Sequence, residues 1–178
     1  MRYVLVALKD ELDGHHLNEA EYMVWYTGVG KINATIYATL ACLQTDCEEV
    51  INYGSAGSQK PENVGKLLKI GICHQRDMDA RPKAELGITP YETTGLGGAI
   101  KISDESGSLS TGDNFVTKPS EVVTDCIDME GYAVAKVCAA FKKKCRIYKY
   151  VSDFADDDAF EHWEENAAKG KDAFLATV

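Results

Sequence analysis

No run of apolar residues in this sequence approaches the ~20 needed to span a bilayer. The opening MRYVLVALKDE is closed by Lys9, Asp10 and Glu11, is too short for a signal peptide, and reads as a first β-strand. A cytoplasmic protein with no membrane partner is expected. Positive charge is scarce: 19 Lys and Arg stand against 28 Asp and Glu, giving a net charge of −9 and a pI near 4.9. A surface of that sign repels phosphate backbones, so no nucleic-acid partner is expected. Six cysteines lie at 42, 47, 73, 126, 138 and 145 without a CxxC pair, which favours buried reduced thiols. The histidines at 15, 16, 74 and 162 lack the ligand spacing of a zinc site, and neither metal nor organic cofactor is expected. Repeats, low-complexity tracts and linkers are also missing, so residues 1–178 read as one domain, long enough for a sizeable core.

What is present is an alternation of strand and helix patterns. Strand-like runs cover 3–8, 22–27, 50–53, 67–73, 99–103 and 146–152. Helical patterns cover 31–44, 129–143 and the region 158–175. Ile32, Ile36, Leu40 and Leu43 give the first helix an apolar stripe expected to face the core. This alternation predicts a layered α/β fold with a parallel or mixed sheet. Residues 75–98, rich in charge, Gly and Pro, are expected to form a long loop.

In such folds functional groups gather just past the carboxyl ends of strands. That rule directs attention to LKDE, TGVGK, GSAGS, STGDNF and SDFAD. TGVGK lacks the third glycine of a dinucleotide fingerprint and the ending of a P-loop, so a tight strand-to-helix turn is the simpler account. Small residues in NYGSAGS suit close approach by a ligand or by another strand. Glu11 reads alone as an exposed acid near a strand end. Asp153 closes the last strand, where Ser152 could orient its carboxylate, and the plain alternative is a helix N-cap. Phe115 reads as core. The acidic run SDFADDDAFEHWEE reads mostly as a solvated helix entrance.

Glu130 is the anomaly. It lies four residues before Val134 and seven before Val137, in line with an apolar stripe that continues through Cys138 to Phe141. A charge there costs several kcal/mol unless it is paired or hydrogen-bonded. Either an internal Lys or Arg or a ligand must face it.

Taken in order, ALKDE, TGVGKINAT, VINYGSAGS, STGDNFV, IDMEGYAVAKVC and YVSDFADDD resemble the purine nucleoside phosphorylase/uridine phosphorylase superfamily. The closest resemblance is to its 5′-methylthioadenosine/S-adenosylhomocysteine nucleosidases. The resemblance implies an α/β/α sandwich with a central mixed sheet, and a cofactor-free enzyme that cleaves the N-ribosyl bond of an adenine-type nucleoside. It implies that Glu11 activates water, that Met129 and Glu130 bind the ribose, and that Phe115 stacks on the base while Val116 offers it backbone hydrogen bonds. It also implies that Asp153 is the general acid at purine N7, with Ser55 and Ser152 completing the substrate-binding set. Asp rather than Asn at 153 suits a purine with a 6-amino group. A homo-oligomer, with a dimer favoured, is implied as well.

The chemistry requires such a division of labour. An acid must protonate the departing base and a carboxylate must activate water. An anion at the ribose hydroxyls favours the positive charge that develops on the sugar. Phosphorylases of this superfamily hold phosphate with arginines, one of them three residues before the serine of the GS motif. Here that position is Asn52, so water is the favoured nucleophile. Phosphorolysis assisted by Arg76 or Arg81, and a non-catalytic nucleoside-binding protein, are the alternatives. The chain departs from the family pattern in compressed segments at 12–21 and 75–110, and its charged stretch 74–92 does not resemble the usual nucleosidase pocket.

Overall fold

The computed structural model describes residues 1–13, 16–118 and 120–178; His15, among the histidines considered above, lies outside them. Strands β1 (Arg2–Val6), β2 (Tyr22–Tyr26), β3 (Glu49–Ser58) and β8 (Lys144–Phe154) run parallel. A second parallel group comprises β4 (Leu67–Gln75), β6 (Gly107–Thr111) and β7 (Cys126–Asp128), with β5 (Ile100–Lys101) antiparallel on the edge of β4. The two groups meet antiparallel where β8 pairs with β4 and where Gly57 of β3 pairs with Ile127 of β7. The mixed sheet therefore curls until β3, β8, β4, β6 and β7 close on themselves.

Two elements extend beyond the expected list. Strands β6 and β7 are short, and the polar sequence GSLST gives no hydrophobic run. Their polar side chains are nevertheless buried because they are paired: Thr111 Oγ1 donates to Asp128 at 2.5 Å, and Thr124 Oγ1 donates to Cys126 O at 2.8 Å while hydrogen-bonded to Ser110 Oγ at 2.9 Å. The expected long loop lies between β4 and β5. The third helical region breaks into α3 (Ala159–Asn166), a 3-10 turn over 167–170, and α4 (Lys171–Leu175).

Helix α1 (Lys31–Leu43) corrects the expected stripe. Ile32, Ile36, Leu40 and Leu43 are 74, 50, 46 and 60% exposed, and the buried face is Ala34, Ala38, Ala41 and Cys42. The helix is apolar on two sides, and the small side was chosen for the core because alanines admit close approach of α2 (Gly131–Phe141). Phe141, expected to continue the α2 stripe, is likewise 41% exposed. Cys42, Cys138 and Cys145 form a row of contacting thiols where α1, α2 and β8 meet. All six cysteines are free and buried. On the other side of the sheet, Phe174 of α4 stacks on Tyr53 at 4.2 Å. Helices thus cover both faces of the sheet. None is long and apolar enough to cross a membrane among the described residues.

Candidate active site

A cleft opens where the ends of β1, β3, β6, β7 and β8 converge. All the candidate residues line it except Ser152, which lies behind Asp153. Glu11 is buried rather than exposed. Its Oε1 accepts hydrogen bonds from Ser55 N–H at 2.7 Å and Ser55 Oγ at 2.6 Å, and its Oε2 accepts from Leu8 N–H at 3.1 Å. Two of these bonds orient the carboxylate from strand β3, which offers no positive charge, and the third comes from Leu8 just past β1.

Glu130 sits at the N-cap position of α2, buried, one residue ahead of the helix. It does not cap that helix; one carboxylate oxygen accepts the N–H of Gly30 at 2.9 Å. Gly30 has φ of 98° and ends the TGVGK turn, so this strand-to-helix turn delivers a backbone donor to the acid. Burial, reinforced by the negative charge of Asp128, pushes the Glu130 carboxyl up to about 7. The internal cation is Lys149, but it pairs with Asp128 at 2.8 Å, both side chains being 1% exposed. Burial alone would lower the Lys149 ammonium, yet Asp128 and Glu130 hold it above its ordinary value. Asp128 also accepts Gly131 N–H at 2.7 Å, which fixes the start of α2 and hence the place of Glu130.

Asp153 lies within β8 and is no N-cap; α3 begins at Ala159, behind Asp158. Pairing of β3 with β8 jumps from Ala56–Val151 to Gly57–Asp153, leaving Ser152 as the extra residue of a bulge. Bulges re-aim side chains, and this one turns Asp153 onto Gly57. A Cβ at residue 57 would lie 2.9 Å from Asp153 Oδ1, so the close approach requires glycine. Ser152 Oγ donates to Asp153 Oδ2 at 2.7 Å. Burial raises the Asp153 carboxyl above the usual range, with the Ser152 bond opposing only part of that shift.

The remaining wall is aromatic. Phe115 is 41% exposed instead of core and meets Phe160 edge-on at 6.0 Å; Phe160 in turn lies 5.9 Å from Trp163. The loop carrying Phe115 and Val116 is anchored by Arg76, whose guanidinium donates to Asn114 Oδ1 at 2.7 Å, Asn114 O at 2.6 Å and Gly112 O at 3.1 Å. From the charged stretch 74–92 only Arg76 lines the cleft. Arg81 is half-exposed and pairs with Asp79 and Glu121. Asn52 is buried away from the cleft lining, its amide donating to Leu5 O at 3.0 Å. The expectation from sequence omits Asp128, Lys149 and Trp163, and considers Arg76 only as a phosphate ligand, not as the anchor of the Asn114 loop. Lys149, four residues before Asp153 and flanked by Ile147, Tyr148, Tyr150 and Val151, is the one with a visible signal.

A curled mixed sheet with this acid-lined cleft at its strand ends places the molecule among known folds. The family model described as the Phosphorylase superfamily matches residues 100–178. The aminodeoxyfutalosine nucleosidase of Helicobacter pylori is 30% identical, across 89% of this chain and 80% of the relative. A 5′-methylthioadenosine/S-adenosylhomocysteine nucleosidase of Hydrogenovibrio crunogenus is 27% identical, across 94% of this chain and 87% of its own. The chain belongs to the phosphorylase superfamily, as the sequence motifs implied. Its named relatives are nucleosidases. Among solved structures, the 5′-methylthioadenosine/S-adenosylhomocysteine nucleosidase of Helicobacter pylori with butyl-thio-DADMe-Immucillin-A superposes with a TM-score of 0.86 at 22% identity, covering 99% of this chain and 96% of that one. The futalosine hydrolase of the same organism gives 0.83 at 22%, covering 94 and 91%. These likenesses establish the α/β architecture expected from the sequence.

Proposed function

We propose that this chain hydrolyses the N-glycosidic bond of an adenine-type nucleoside, releasing free base and a ribose moiety. The observation that carries this is the pair of buried carboxyls held by one strand in contrasting settings. Glu11 is bound at Ser55 and Asp153 lies against Gly57, two residues and roughly 7 Å further along β3. Asp153, with its carboxyl raised and no cation bonded to it among the described residues, suits the acid that protonates the departing base at N7. Glu11, ordered by three donors, suits the base that takes a proton from water. Glu130, together with Met129, would hold the ribose hydroxyls, where a negative charge favours the oxocarbenium-like transition state. Phe115 offers a face for the purine and Val116 its backbone. Arg76, the one arginine lining the cleft among the described residues, gives three bonds to the loop of Asn114, which supports water over phosphate as nucleophile.

The test is a panel of nucleosides with varied 5′ groups, assayed chromatographically for free base with and without phosphate. Adenine release that needs no phosphate is expected. Release that strictly requires phosphate would overturn hydrolysis, and binding without release would establish a nucleoside-binding protein instead.

The free cysteines support a reducing, cytoplasmic setting. The exposed stripe of α1 supports a homodimer, because Ile32, Ile36, Leu40 and Leu43 lie along one helix face and gain by being covered. Val29, exposed just before that stripe, also lines the cleft, so such an interface would reach the site. Light scattering at micromolar concentration should give twice the 19.5 kDa chain mass; a monomer mass would refute the dimer.

A further inference from the structure

We infer that Trp163 is a positioning residue that sets the direction of the Glu11 carboxylate through Ser55, an inference that rests on the hydrolase reading above. The indole N–H is a donor only, and it lies 2.9 Å from Ser55 Oγ. Ser55 Oγ has a single hydrogen. With the indole occupying one of its lone pairs, that hydrogen points to Glu11 Oε1, 2.6 Å away. The chain of donation therefore has one sense, from Trp163 to Ser55 to Glu11. Oε1 also takes the Ser55 backbone N–H at 2.7 Å, which fills its two lone-pair directions. Among the described residues, Oε2 accepts only Leu8 N–H at 3.1 Å. One lone pair of Oε2 is left, and this is the atom that receives the proton of water.

The position of Trp163 gives the relay a second role. Trp163 belongs to α3, and its ring continues through Phe160 to Phe115, the proposed seat of the base. Three residues on, Asn166 donates to Ser152 O at 3.0 Å, next to Asp153. One short helix thus touches the base platform, the water-activating side and the strand of the acid. A base stacked on Phe115 bears on the same aromatic wall that orients Ser55. Packing alone would be served equally by phenylalanine; the N–H is what phenylalanine lacks.

The comparison of W163F, S55A and the double variant tests this. W163F keeps a ring beside Phe160 and removes the donor. Its kcat should fall about tenfold, the scale of one lost hydrogen bond, with KM changing by less than about threefold. In the double variant, W163F should add nothing to the loss already caused by S55A, because both cut the same relay. A readout independent of turnover is the indole N–H signal of Trp163 in a nitrogen-15 correlation spectrum. The chain has 2 tryptophans, so W163F assigns that signal. S55A should move it and leave the signal of Trp25 in place. Wild-type turnover in W163F, additive losses in the double variant, or an unmoved Trp163 signal would each overturn the relay. E11Q separates the two levels: full activity there removes Glu11 as the base, whereas an inactive E11Q beside a fully active W163F removes only Trp163.

Discussion

The two sides of the cleft handle buried acid differently. On one side Glu11, Asp128 and Glu130 crowd around a single buried cation, Lys149, and lean on backbone donors from Leu8, Gly30, Ser55 and Gly131. On the other side Asp153 has one hydroxyl, that of Ser152, and is raised by burial. Donors and a cation hold the crowded carboxyls in place, although burial and the charge of Asp128 still raise Glu130; at Asp153 burial is opposed by little more than the Ser152 hydroxyl. The contrast teaches how one strand can hold two buried carboxyls, Glu11 and Asp153, in different settings two residues apart, with the bulge at Ser152 deciding which way Asp153 looks.

The comparison breaks most sharply at Asp153. Asp153→Asn keeps the shape and the Ser152 neighbour but removes the transferable proton. Turnover should fall by about 10²–10⁴, the range of general acid catalysis, while circular dichroism and Tm stay near wild type. Full activity in that variant would remove Asp153 from the mechanism.

A smaller effect is expected on the crowded side. On the ribose-binding role proposed for it, Glu130→Gln should lower turnover by about tenfold or more, since the sugar would lose a carboxylate acceptor. Its stability should depend on pH in a particular sense. The folded carboxyl titrates near 7 against an ordinary 4.5, so between those values the native state holds a proton that the unfolded chain has released. Wild-type stability from this group is therefore full below about 4.5 and declines as pH rises through about 7. Removing the carboxyl should raise stability at pH 8 by up to about 3 kcal/mol, less the value of the Gly30 bond, and change little at pH 4.5. Urea unfolding at the two pH values measures this. A variant less stable than wild type at pH 8 would show that Glu130 is a structural partner.

Much of this arrangement is legible in the sequence because strand ends can be found from alternating patterns. That rule points to the segments that hold Glu11, Ser55, Phe115 and Asp153, while their individual roles come from the family resemblance; alone, Glu11 reads as exposed and Phe115 as core. Glu130 is legible for the opposite reason: it violates a pattern. Other parts are not. The α1 stripe misleads because periodicity identifies an apolar face without saying what covers it, and here the alanines won the core. Strands β6 and β7 hide because their buried hydroxyls and carboxylate satisfy one another across the ring, a pairing no local window contains. Trp163 is concealed in an acidic segment whose exposed residues Asp157, Asp158, Glu161 and Glu164 do form a solvated face. Its partner Ser55 is 108 positions away in sequence.

The row of Cys42, Cys138 and Cys145 has a practical consequence. These thiols lie between α1, α2 and β8, and their mutual contacts and burial push the Cys42 and Cys138 thiols well above the ordinary range. Alkylating reagents attack thiolates, so at Cys42 and Cys138 the closed molecule offers them neither ready access nor the reactive species. Labelling at these positions then proceeds only as fast as the helical layer lifts from the sheet. The chain carries its own chemical clock for that opening, readable by mass without any added probe.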